Sequence, residues 1–149
     1  MRMTETVRIK KLDPAAILPS YGSEYAAGAD LYALLPEAVT IAPGETLMIH
    51  TGLAAEIPEG YAGLVFARSG LASKRGLAPA NKVGVVDSDY REEWMVALHN
   101  HSGEPQVVEP GERIAQMVIV PYLTARFEEV GELSDTVRGT GGFGSTGTR

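Results

Sequence analysis

The chain has 149 residues, 44% of them hydrophobic and none of them cysteine. One domain is the natural reading at this length, and folding buries roughly 68–70% of the unfolded surface, so neither a disulfide nor a structural metal is needed for stability. The absence of thiols excludes a disulfide scaffold, a thiolate zinc site, an iron–sulfur cluster and a cysteine nucleophile; a net charge of −6 argues against broad nucleic-acid or anionic-membrane binding.

Residues 1–6 mix charges and hydroxyls without an apolar run, unlike a secretory signal. The most apolar stretch, Met117 to Leu123, falls far short of the roughly 20 residues of a membrane span and contains Pro121. A soluble, cytoplasmic protein is therefore expected. Seventeen glycines and nine prolines exceed the average share of about 12% and imply many turns. Val7 and Ile9 face one way with Arg8 and Lys10 opposed, the alternation of a half-buried strand. Pro36, Pro43-Gly44, Pro58-Glu59-Gly60, Gly103-Glu104-Pro105 and Pro110-Gly111 then punctuate short stretches rich in Val, Ile, Leu and aromatics. Ala42-Pro43-Gly44-Glu45 and Glu109-Pro110-Gly111-Glu112 echo each other as type II turns feeding apolar strands, and two hairpins are expected there. Ser69 to Arg75 is the one helix candidate, capped by Ser69 and ended by Gly76. Trp94, Val96 and Leu98 share one face of a further strand. The whole reads as an all-β barrel or jelly roll with one short helix.

Three segments carry groups suited to a nucleotide. In Arg68-Ser69-Gly70 an arginine, a hydroxyl and a close-approach glycine open the helix, where backbone amides attract anions; a solvated arginine beside a capping serine is the equal alternative. Asp87-Ser88-Asp89-Tyr90 follows the apolar run Val83-Gly84-Val85-Val86, with both carboxylates on one side of a turn. Spacing alone favours a solvated tip, while a carboxylate beside a polyphosphate would deprotonate an attacking water. The tail from Arg138 to Gly147 is too glycine-rich for helix or strand, and composition alone favours a mobile end. Its glycine amides, the Arg138 guanidinium, the Ser145 and Thr146 hydroxyls and the flat Phe143 ring nonetheless match phosphates and a base. It is not a Walker loop, since no Gly-Lys-Ser/Thr follows. His99 and His101 alternate onto one face, but without a third ligand a metal there is discounted.

Taken together, Ala27-Gly28-Ala29-Asp30-Leu31, Arg68-Ser69-Gly70-Leu71, Gly84 to Tyr90, Gly111-Glu112-Arg113-Ile114-Ala115-Gln116 and the Arg138–Gly147 tail closely resemble the trimeric dUTPases in order and separation. The resemblance implies a distorted β-barrel or jelly roll of the β-clip kind over residues 1–137, and a mobile tail, 138–149, that closes over the site. It implies Mg²⁺-assisted hydrolysis of dUTP to dUMP and pyrophosphate, with water attacking the α-phosphorus, which keeps uracil out of DNA and supplies dUMP for thymidylate synthesis. By that resemblance Asp87 activates the water, Tyr90 packs on deoxyribose and excludes a 2′-hydroxyl, Asn81 and the Met95 backbone meet uracil, and Gly84 is a further substrate-binding position. Arg68, Ser69, Gly70 and Gln116 hold phosphates, Arg138 acts as an arginine finger, Phe143 covers the base, Ser145 and Thr146 take the terminal phosphate, and Gly144 is a further substrate-binding position. Asp30 supports a metal held mainly by the triphosphate, through water. A homotrimer with shared sites is implied, with no nucleic-acid or membrane partner.

One position departs from the family pattern: Glu92 stands where the family usually has glycine two residues after the tyrosine. A left-handed, strained Glu92 and a reshaped hairpin are expected from it. Two other readings are weighed: a dCTP deaminase, which shares the fold and would release ammonia, and a nucleotide-binding regulatory trimer without turnover, against which Asp87 speaks.

Overall fold

The computed structural model describes residues 3–149. Among these described residues twelve strands and one helix follow in chain order: β1 (Arg8–Lys11), β2 (Ser20–Tyr21), β3 (Ala29–Tyr32), β4 (Val39–Ile41), β5 (Thr46–His50), β6 (Leu53–Glu56), β7 (Tyr61–Phe66), α1 (Ser69–Arg75), β8 (Leu77–Pro79), β9 (Gly84–Val86), β10 (Met95–Asn100), β11 (Gln106–Val108) and β12 (Arg113–Pro121). They form four antiparallel sheets: β1-β6, β5-β10-β8, β11-β4 and β2-β3-β12-β7-β9. The most deeply buried aliphatic side chains come from all four. Leu53 of β6, Ile49 of β5, Leu77 of β8, Leu98 of β10, Ile41 of β4, Val108 of β11, Leu31 of β3 and Ile114 of β12 join one hydrophobic cluster. Four small sheets thus share one core, the arrangement of a distorted jelly roll. Ile9 leans into that core while Arg8 and Lys10 are exposed, and Trp94, Val96 and Leu98 are buried together, as the alternation requires.

Both Pro-Gly segments are type II turns. Glu45 N donates to Ala42 O at 3.0 Å and Glu112 N to Glu109 O at 3.1 Å, with Gly44 and Gly111 both at φ 76°. In each, the glutamate side chain reaches back to accept the amide of the first turn residue, Ala42 at 2.8 Å and Glu109 at 2.9 Å. Neither turn makes the hairpin expected of it. The strands before the turns, β4 and β11, pair with each other, whereas β5 pairs with β10 and β12 with β3 and β7. The reason is twist: tight hairpins favour the primed turns, and type II geometry splays the flanking strands into different sheets.

Helix α1 occupies the predicted span and stops at Gly76, whose left-handed φ of 65° lets its amide reach Ala72 O. A side chain there would strike the Ser102 backbone at 2.9 Å. The cap differs from expectation. Arg68, with extended backbone, is the N-cap, no side chain caps the helix, and Ser69 is the first helical residue with its hydroxyl uncommitted to capping.

Asn100, fully buried, ties three segments together. Its amide donates to Ile41 O at 2.9 Å and Glu104 O at 2.8 Å, and its carbonyl accepts from Ser102 N at 2.9 Å and Ser102 Oγ at 2.7 Å. Asn100→Ala strands these partners in the interior and is expected to cost about 2–3 kcal/mol. Thermal unfolding should show this as a fall of roughly 5–10 °C in Tm.

The last hydrogen bond joining the C-terminal segment to the barrel runs from Tyr122 N to Gly60 O at 3.0 Å. Beyond it, every hydrogen bond and ion pair formed among the described residues of 123–149 is internal to that segment, and every residue but Gly141 is exposed. Residues 123–137, expected within the barrel domain, therefore leave its hydrogen-bonded body together with the tail. Leu123, Phe127, Leu133, Val137 and Phe143 stand bare along this arm.

Candidate active site

Strand β9 lies against β7 in the register Gly63↔Val86, Leu64↔Val85 and Val65↔Gly84, then turns at Asp87, whose carbonyl accepts Tyr90 N at 3.2 Å. The chain returns through Glu93 and Trp94 into β10. Between the outgoing and returning strands lies a pocket of about 270 Å³. Asn81, Gly84, Asp87, Tyr90 and Met95 line it, over an apolar wall that includes Leu31, Val65 and Trp94. Five residues singled out from the sequence thus meet in one cavity.

Local geometry explains their presentation. Lys82, at φ 66°, is the only non-glycine residue with positive φ among the described residues; Lys82 N bonds Pro79 O and Val83 N bonds Asn81 O at 2.7 Å, folding Asn81 toward the pocket wall. A side chain at position 84 would press on Val65 Cβ at 3.2 Å and Asn81 Nδ2 at 3.4 Å, so Gly84 provides the space in which Asn81 sits. Glu92 does not adopt the strained left-handed conformation expected of it. The turn is closed by other contacts: Arg91 Nη1 donates to Ser88 O at 2.6 Å and Tyr90 OH to Glu93 O at 3.0 Å. Asp87 and Asp89 both border an adjoining open hollow, as their spacing suggests, but only Asp87 also reaches the pocket.

A second group forms where β3, β12 and β7 run side by side, Gln116 pairing with Asp30 on one flank and Phe66 on the other. Arg68, just past the end of β7, donates from Nε to Asp30 Oδ1 at 2.9 Å, and Arg113 Nε lies 3.8 Å from Asp30 Oδ2. The mostly buried carboxylate is thus compensated by two arginines that leave an excess positive charge at the site. Gln116 Nε2 donates to Ala67 O at 2.9 Å. Any side chain at Gly28 would collide with Gln116 Oε1. Gly70 faces open space, and the free Ser69 hydroxyl stands beside it. Two guanidinium groups, a free hydroxyl and an unobstructed glycine are the chemistry that suits an anion.

The tail forms a third group, a string of turns. Gly141 N reaches Arg138 O, Ser145 N reaches Gly142 O and Gly147 N reaches Gly144 O. Arg138 Nε donates to Gly141 O at 2.8 Å, and Phe143 is fully exposed. Neither the pocket nor its neighbouring hollow includes Arg68, Ser69, Gly70, Gln116 or any tail residue. Within the single chain the arginine group around Asp30 and the tail therefore do not line the cavity of Asn81, Asp87 and Tyr90.

The dUTPase family model matches residues 15–147, through all three groups. The chain belongs to that family. Relatives of this dUTPase-family chain include a deoxyuridine 5'-triphosphate nucleotidohydrolase of Desulfitobacterium hafniense, 55% identical over 136 residues that cover 91% of this chain and 90% of that protein. One of the same name from Acinetobacter baumannii is 47% identical over 146 residues, 95% of this chain and 97% of that protein. Among solved structures, a Staphylococcus bacteriophage 80alpha dUTPase with dUpNHpp superposes with a TM-score of 0.83 at 32% identity, covering 97% of this chain and 100% of that one. A mutant dUTPase from phage phi11 of S. aureus, described with a coordinated structural Mg(II) ion, gives 0.75 at 28% identity, covering 86% and 98%.

Three contributors in this dUTPase-family chain escaped the sequence reading. Glu93 lines the pocket and bonds residues some forty positions earlier. Trp94, the only tryptophan, is part of the pocket wall, its indole N–H buried and without a hydrogen-bond partner among the described residues. Arg113 belongs to a recognised motif, but its pairing with Asp30 depends on the β3-β12 register.

Proposed function

We propose that the chain hydrolyses dUTP to dUMP and pyrophosphate. The observation that carries this reading is the gathering of Asn81, Gly84, Asp87, Tyr90 and Met95 around one cavity of about 270 Å³; membership of the dUTPase family supports it. Asn81, Gly84 and the Met95 backbone take uracil, and the Tyr90 ring packs on the deoxyribose. Asp87, at the cavity rim, accepts a proton from water as the water oxygen bonds the α-phosphorus. The bond from that phosphorus to the α,β-bridging oxygen breaks, and pyrophosphate departs with the electron pair. Arg68, Ser69, Gly70 and Gln116 hold phosphate oxygens, Arg138 meets charge developing in the transition state, Phe143 covers the base, and Gly144, Ser145 and Thr146 take the terminal phosphate.

Among the described residues no three His, Cys, Asp or Glu side chains converge into a metal cage. This donor set fits an ion carried chiefly by the triphosphate, with Asp30 supporting it through water. Mg²⁺ so bound would screen the polyphosphate charge. The separation of pocket, anion surface and tail within one chain supports a homotrimer in which neighbours complete one another's sites, the bare apolar arm crossing between them. In the cell the enzyme acts in the cytoplasm, limiting uracil in DNA and furnishing dUMP for thymidylate synthesis.

Pyrophosphate release measured across dUTP, dCTP, dTTP and UTP, with and without Mg²⁺, tests the proposal. Release from dUTP alone, dependent on Mg²⁺, is expected; ammonia from dCTP would mark a deaminase, and tight dUTP binding without turnover a regulatory protein. Tyr90→Ala is expected to raise kcat/KM for UTP relative to dUTP by about tenfold or more, as the steric bar to a 2′-hydroxyl is removed. Unchanged discrimination would show that another group excludes ribose.

A further inference from the structure

We infer that Glu93 is the positioning residue for sugar discrimination, holding the hairpin against which the Tyr90 ring is set. The inference rests on the Tyr90 reading above and adds what fixes that ring in place. Tyr90 itself is partly exposed on a hairpin whose outer residues, Arg91 and Glu92, are also exposed. Its hydroxyl is anchored at the Glu93 carbonyl, 3.0 Å away. The position of the ring is therefore only as well defined as that peptide unit.

The Glu93 side chain ties the unit to the barrel. Oε1 accepts Gly52 N at 2.9 Å and Oε2 meets His50 Nδ1 at 2.7 Å, so both carboxylate oxygens are committed to the corner between β5 and β6. That corner is itself closely packed. Gly52 adopts φ 71°, and a side chain there would overlap Leu34 at 2.6 Å and Ala16 at 2.9 Å, so the amide is aimed by a turn packed on both sides. Next along the chain, Trp94 N bonds Leu53 O at 2.8 Å and buried Thr51 bonds Trp94 O at 2.5 Å. The returning end of the hairpin is thus clamped to the 50–53 corner from both side chain and backbone. Glu93 borders the nucleoside pocket on one side and a separate hollow with His50 and Gly52 on the other. Its charge is satisfied by the corner. What it supplies to the pocket is position, and small displacements of a steric gate are amplified in selectivity.

The test compares kcat and KM for dUTP and UTP in the full-length parent, Glu93→Ala, Glu93→Gln and His50→Ala, with thermal unfolding of each. Glu93→Ala is expected to lower the dUTP-over-UTP ratio of kcat/KM about tenfold, with the change lying more in KM than in kcat. Glu93→Gln should hold that ratio within about twofold, because its carbonyl still accepts from Gly52 and its amide can donate to His50. His50→Ala, which spares the Gly52 bond, should lower it about threefold. A folded Glu93→Ala with the parent's ratio overturns the inference, as does equal loss in Glu93→Ala and Glu93→Gln, which would make charge rather than position the cause. Should Glu93→Ala fail to fold, an unchanged ratio in His50→Ala overturns it from the exposed side of the same contact. A parent without preference for dUTP overturns the Tyr90 reading and this inference with it; a parent with that preference, undisturbed by Glu93→Ala, overturns this inference alone.

Discussion

Asp87→Asn is expected to bind dUTP and turn it over about 10²–10⁴-fold more slowly than the parent, the usual span for losing a general base. The substitution is nearly isosteric, and an asparagine can still orient a water molecule. It cannot take the water's proton at neutral pH. Nothing else about the protein should change, because the Asp87 side chain makes no hydrogen bond or ion pair among the described residues; only its backbone carbonyl is engaged, by Tyr90 N. Asp87 also sits where β9 ends, so its side chain reaches the pocket without supporting the β7-β9 pairing behind it. Single-turnover pyrophosphate release measures the rate. Trp94, the sole tryptophan and part of the pocket wall, reports binding by its fluorescence. A rate close to the parent's, with binding intact, would remove Asp87 from the chemistry.

Deleting residues 138–149 is expected to reduce turnover by about 10³–10⁵, the scale on which arginine fingers act in other phosphoryl-transfer enzymes. The barrel should be untouched. The tail's bonds stay within the 123–149 arm, Arg138 donates to Gly141, and Phe143 buries nothing. Circular dichroism and thermal unfolding should therefore match the full-length chain, and size-exclusion chromatography should show the same oligomer, since residues 123–137 of the arm remain. Arg138→Ala in the intact chain separates the guanidinium from the rest of the tail: it should reproduce a large part of the loss in kcat, whereas Phe143→Ala should act chiefly on KM. A truncated chain with full activity would return the tail to the frayed terminus that its composition suggests.

Much of the architecture was readable from residue order because its causes are local. Alternation at Val7–Lys10 and Trp94–Leu98 places one face inward on any half-buried strand. Pro43-Gly44 and Pro110-Gly111 set dihedrals through their own rings and missing side chains, and Gly76 ends α1 because a left-handed residue is required there. The misreadings are equally physical. The Pro-Gly turns were expected to join paired strands, but pairing depends on which strand arrives alongside, and β4 and β11, which pair Ile41 with Gln106, lie far apart in the sequence. Ser69 was expected to cap α1 from residue preference alone, whereas the backbone leaves β7 extended through Arg68 and places the cap there. A strained Glu92 was expected from family pattern, and the hairpin instead adopts a path closed by Arg91 and Tyr90 contacts.

What residue order determined by itself was the inventory: strands, turns, one short helix, and the Arg68, Asp87 and Arg138 segments whose chemistry suits a nucleotide. These follow from properties each residue carries with it, namely ring constraint, side-chain period and charge. Only the tertiary structure decided who stands next to whom. The Asp30–Arg68 pair, the pocket shared by Asn81 and Tyr90, and the clamp from Glu93 to Gly52 each join residues distant in sequence. Such contacts arise when β7, β9, β10 and β12 are brought into register around a common core, and register is set by the collective burial of many side chains rather than by any one segment.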